Sequence, residues 1–105
     1  MGSIDFNALL AGVTNLASSN LKDYLNEATA DGQKLLESLK ADIQNWNNEL
    51  VEGKISATDL EFLIMAKKEE MEMEGLKQAG VAEIRIDQFK NGILKLIVKT
   101  LEGLT

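Results

Sequence analysis

Thirteen positions spaced four, three, four and four residues apart run through the first half of this chain: Phe6, Leu10, Val13, Ala17, Leu21, Tyr24, Ala28, Gly32, Leu35, Leu39, Ile43, Trp46 and Leu50. All but Gly32 are apolar, and the twelve steps span 44 residues, a period of about 3.67 that belongs to an α-helix running straight or with slight right-handed supercoil. A strict seven-residue register started at Phe6 places Asn20, Glu27, Asp31, Lys34, Ser38, Asn45 and Asn48 on the seam, so an ordinary left-handed coiled coil is disfavoured. Because the phase survives across Asp31-Gly32, the spacing predicts one helix over residues 5–51, about 70 Å long. The rival is a turn at Asp31-Gly32, since glycine costs about 1 kcal/mol inside a helix and Asp-Gly is a turn dipeptide.

The chain contains no proline, which removes the residue that most often breaks helices and punctuates loops. Gly53-Lys54 closes the first segment, and Ser56 with Asp59, or Thr58 with Glu61, offers a capping box for a second helix over about 57–79, with Gly80 at its end. The last segment carries two signals. Asn91-Gly92 between Ile84-Arg85-Ile86 and Leu94-Lys95-Leu96-Ile97-Val98 suits a β-hairpin, whereas Ile86, Phe89, Ile93, Leu96 or Ile97, Leu101 and Leu104 keep helical spacing. A lone hairpin is marginal without a larger sheet, so a helix over about 82–104 is expected.

The fold expected from these segments is all-α, a single domain over residues 1–105. One long N-terminal helix would be followed by two shorter ones, in a bundle completed by oligomerisation. Between Asp5 and Lys22 there is no charge, and Phe6, Leu9, Leu10, Val13, Leu16 and Leu21 cover more than one helical face. Each apolar side chain left in water forgoes about 1.5–3 kcal/mol, so a second copy is expected to cover them. The expected interface is Phe6, Leu9, Leu10, Val13 and Leu16, with Phe62 and Met65 on the second helix. Aspartate at Leu10 and Val13 is expected to weaken association.

Eleven basic and 17 acidic residues give a net charge of −6, which opposes binding to nucleic acid or anionic membranes. Without cysteine or histidine, thiolate chemistry, disulfides and the usual zinc sites are ruled out. Glu69, Glu70, Glu72 and Glu74 form the densest acidic run, yet the bundle di-iron pattern needs histidine, and lysines flank the run. A solvated face is the plainer reading. Arg85, Asp87 and Tyr24 have no spacing that joins a nucleophile to a base, and the single glycines build no phosphate cradle. No enzyme, cofactor or metal is expected. Trp46, Met65, Met71 and Met73 are read as core before they are read as recognition residues.

The opening Met1-Gly2-Ser3-Ile4-Asp5 lacks a cationic leader region, so a cytoplasmic address is expected. The functional expectation is a non-catalytic helical interaction or scaffolding module that self-associates, with a protein partner a further candidate. The alternative is an apolar-ligand or lipid-surface binder. An eleven-residue period keeps one helix face on a membrane, and Arg85, Lys90, Lys95 and Lys99 lie beside apolar residues in the last segment.

Overall fold

The computed structural model describes the backbone of residues 4–104 and the side chains of residues 4–103; Met1, Gly2, Ser3, Thr105 and the Leu104 side chain lie outside it. Among the described residues the fold is all-α, without strands. Its helices are α1 (Phe6–Asn20), α2 (Leu25–Val51), α3 (Ala57–Lys67), α4 (Glu74–Gln78) and α5 (Glu83–Leu104). The region of the hairpin signal at Asn91-Gly92 is helical throughout. No described helix is long and apolar enough to cross a membrane.

The expected 5–51 helix is two helices, and the break falls at Leu21 rather than at Asp31-Gly32. Ser18, Ser19 and Asn20 compete for backbone hydrogen bonds and weaken the last turn of α1. Leu21 then leaves helical geometry, with φ −135° and ψ 46°, while its N–H still donates to the Ala17 carbonyl. A single 3-10 turn over Lys22–Tyr24 leads into α2. The apolar phase survives this corner because Leu21 and Ala28 are both buried and Tyr24 is partly buried, in one core shared by the two helices. Periodicity reports which side faces inward, and a tight reversal preserves that as well as a straight helix does.

α1 folds back along α2, so that Phe6 receives the Lys40 ammonium over its ring at 5.1 Å. α5 packs on the other flank of α1, running opposite to it: Gly12 faces Leu96 and Gly92 faces Leu16. α3 covers α5 and α4 covers α2. The core joins Val13, Leu35, Leu39, Ile43 and Trp46 to Leu60, Ile64, Phe89, Ile93 and Ile97.

The expected 57–79 helix is also divided. Its start is the Ser56/Asp59 capping box, the Asp59 N–H donating to Ser56 Oγ at 3.1 Å and the Ser56 N–H to Asp59 Oδ2 at 2.9 Å. Its regular part stops at Lys67, where a 3-10 turn over Lys68–Glu70 hands over to extended backbone at Met71. Met71 and Met73 are both buried. Two residues apart, they would point to opposite sides of a helix, and only extended chain turns both inward. Lys90 donates to the Met71 carbonyl left free by the break.

Helix α4 is five residues long and too short to hold itself together in water. It is held by Asp31, in the middle of α2, whose carboxylate accepts the Gly75 N–H at 3.1 Å and the Leu76 N–H at 2.8 Å. The dipeptide that reads as a turn is a tertiary latch: Asp31 caps α4, and Gly32 makes room for Val13. Gly53 and Gly80, with φ +74° and +83°, end α2 and α4 where glycine is favoured.

The corner between α1 and α2 is fastened by Arg85, which bonds Asp23 at 2.9 Å and the Asn20 carbonyl at 3.2 Å and lies near the Tyr24 ring. The hydrogen bond from Arg85 lowers the Asp23 pKa below its ordinary value. A carboxylate lowered in this way stabilises the fold above its unfolded value, and the contribution is lost as the pH falls through the folded one. Replacing Arg85 with glutamine should therefore raise the Asp23 titration toward the ordinary aspartate range, a backbone hydrogen bond keeping part of the lowering, as read by carboxyl-carbon NMR. A titration unchanged by Arg85→Gln would remove this account of the corner.

Candidate interaction surfaces

The seven residues expected to form an interface part company in the structure. Leu9 and Val13 are buried, Val13 with 0% exposure, while Phe6, Leu10 and Leu16 are partly buried. Because α1 reverses, it has α2 on one side and α5 on the other, and the flank expected to need a second copy is largely covered by its own chain. Leu9 and Val13 therefore drop out of an association surface, and aspartate at Val13 would report on folding. Phe62 and Met65 are exposed, at 78% and 47%.

These two belong to a helix whose stretch from Leu60 to Ala66 is apolar except for Glu61. Leu60 and Ile64, one turn apart, face the core of the chain. Phe62, Met65 and Ala66 take the opposite side, and Leu63 is exposed between the two. A helix with one buried stripe ordinarily carries polar residues opposite it, so an apolar outer face is the unusual feature of α3. Beside it a groove of about 490 Å³ runs between α3 and α5 over Ile64, Met65, Leu94 and Val98. Its rims carry both signs of charge, Glu61 and Glu102 together with Lys95 and Lys99.

A second groove, about 470 Å³, lies on the other flank of α5, against α1. Lys95 and Lys99 line both grooves and form a ridge between them. The structure divides the four basic residues Arg85, Lys90, Lys95 and Lys99 of the last segment. Arg85 and Lys90 are engaged in holding the fold together. Lys95 and Lys99 meet no anion among the described residues.

The remaining chemistry-bearing residues support the fold or face solvent. Trp46 is buried in the core, as are Met71 and Met73. Glu69, Glu70, Glu72 and Glu74 are exposed, and among the described residues no group of three acidic side chains is placed to hold a metal ion. Glu72 and Glu74 share a hydrogen bond, which lowers the pKa of Glu72 and raises that of Glu74. Asp87 pairs with Lys68 at 2.6 Å, tying the end of α3 to α5. Asp31 is the polar residue that sequence reasoning missed in its role. Only its place inside an apolar stripe marked it, and a partner 44 residues away leaves no local trace.

Fold and surfaces together define an all-α bundle that closes its own core and keeps one helix apolar on both sides. No protein-family model, no curated protein and no solved structure matches this chain.

Proposed function

We propose that the chain is a non-catalytic helical interaction module that self-associates through the outer face of α3 and the adjoining α3/α5 groove. The observation that carries this reading is Phe62, a large aromatic side chain 78% exposed beside Met65 on a continuous apolar face. Aromatic side chains are the commonest anchors of protein interfaces, and methionine adapts to the surface it meets. A two-fold dimer presents the same patch to itself, so each charge must find its opposite within one patch. The α3/α5 groove has that property, since Glu61 on one copy can face Lys95 or Lys99 on the other.

The test is sedimentation velocity over a dilution series of the wild-type chain and of a Phe62→Asp/Met65→Asp variant. Burying one carboxylate in an apolar contact costs more than the contact returns, so the variant should associate at least about tenfold more weakly. Both side chains project from the fold, so its circular dichroism and unfolding midpoint should stay close to those of the wild type. A folded double variant that assembles like the wild type would remove the α3 face from consideration.

A further inference from the structure

We propose that Phe62 seats in the α3/α5 groove of a second copy, so that each subunit of the pair supplies one ring and one groove. The inference rests on self-association through α3 and names the contact that holds it. Among the described residues Phe62 is the most exposed of the large apolar side chains, at 78%. The groove beside it, about 490 Å³, has an apolar floor of Ile64, Leu94 and Val98, with Met65 at its edge. Those three floor residues are buried in the chain's own core, so the groove exists before a partner arrives. A ring entering it displaces water from apolar surface without opening the bundle. An aromatic side chain in a preformed apolar pocket is the usual form of an interface anchor.

Ring and groove lie side by side on one patch. Met65, three residues from Phe62 and so its neighbour on the helix surface, is exposed on the outer face and also lines the groove. In a two-fold pair every contact is made twice with the roles exchanged. A ring next to a groove meets that condition with two equivalent contacts, whereas stacking Phe62 on the partner's Phe62 would leave both grooves in water. The charges agree with the first arrangement. Glu61 adjoins Phe62 in sequence, so seating the ring carries this carboxylate to the α5 rim of the other copy, where Lys95 and Lys99 stand. One docking geometry thus buries the ring and pairs the acid.

The contact can be read on the wild-type chain by isotope-filtered NMR, with copies carrying carbon-13 in their leucine and valine methyls mixed with unlabelled copies. Cross-peaks between the two kinds of copy should join the Phe62 ring to the Leu94 and Val98 methyls. The chain has three phenylalanines, so the Phe62 ring signals are identified by their loss in Phe62→Leu. A charge swap read by sedimentation tests the same geometry. Glu61→Lys and Lys95→Glu/Lys99→Glu should each associate several-fold more weakly than wild type, because each sets like charges across both contacts. Their equimolar mixture should recover the loss, since opposite charges then meet at both. All three side chains are exposed, so the variants should keep the wild-type circular dichroism. Ring cross-peaks confined to the Leu63 methyls, or a mixture no stronger than its components, would overturn the groove contact and leave self-association through α3 standing. A wild-type chain that stays monomeric at millimolar concentration would remove both.

Discussion

Replacing Asp31 with alanine should lower the unfolding free energy by about 2–4 kcal/mol, among the largest losses available to a single polar side chain here. Asp31 is 5% exposed, and its carboxylate accepts two backbone N–H groups of α4. Hydrogen bonds to a charged acceptor contribute more than neutral ones, and their removal also leaves the Leu76 N–H in a buried place with no partner. The damage should be local before it is global. With its cap gone, the five-residue α4 has only Leu76 to hold it, so amide exchange should accelerate first from Gly75 to Gln78. Asp31→Asn keeps one acceptor oxygen and turns an amide toward the other N–H, so it should fall between the two. Equal stability of wild type and Asp31→Ala in urea unfolding would mean that α4 is held by packing alone.

The second large effect has a sign opposite to the usual one. Glycine to alanine inside a helix normally stabilises by about 1 kcal/mol. At Gly32 the added Cβ would fall inside the contact distance of Val13 Cγ1, with Phe89 Cζ at 3.6 Å and Ile93 Cδ1 at 3.7 Å. Val13 cannot step aside cheaply, because its β-branched side chain is stiff at χ1 and sits at 0% exposure where α1 crosses α2. Overpacking of this kind costs about 1–3 kcal/mol. The expected net result for Gly32→Ala is a loss of about 1–2 kcal/mol by chemical denaturation, the overpacking cost exceeding the propensity gain. Val13→Ala should make room for the new methyl, so the double variant should be more stable than the sum of the two single changes. Additive effects, or a stabilised Gly32→Ala, would show that the α1/α2 crossing has slack.

Both predictions concern Asp31-Gly32, and the dipeptide shows where reading the sequence stops. The stripe from Phe6 to Leu50 identified inward-facing positions well: Val13, Ala17, Leu21, Ala28, Leu35, Leu39, Ile43 and Trp46 are all buried. Helix ends written in local chemistry were equally legible, as at the Ser56/Asp59 box and at Gly53 and Gly80. The reversal at Leu21 was hidden because a core wrapped by two helices asks the same periodicity of both. The weak formers Ser18, Ser19 and Asn20 were its only local mark. The break after Lys67 was marked by Met71 and Met73, whose alternation fits extended chain and no helix.

The surfaces were legible in part. Phe62 and Met65 were recognisable because an apolar residue opposite a buried stripe stands out on a helical wheel. The α1 residues were assigned to an interface because a straight helix offers only one side to its own chain. Once α1 lies between α2 and α5, Leu9 and Val13 have neighbours that no periodicity could supply. Lys95 and Lys99 were visible as charges, but that they lack partners while Arg85 and Lys90 do not is a fact of tertiary structure.

The central claim is that α3 turns an apolar face outward for a second copy to cover. Methionine offers a direct probe, since Met65 is exposed on that face while Met71 and Met73 are buried in the core of the same chain. With the methionine methyls labelled with carbon-13, spectra should be recorded from about ten micromolar to about one millimolar protein, a range that brackets the affinity of a modest dimer. The Met65 methyl should shift or broaden as concentration rises, and those of Met71 and Met73 should hold their positions. A Met65 signal constant across the whole range would contradict self-association through α3.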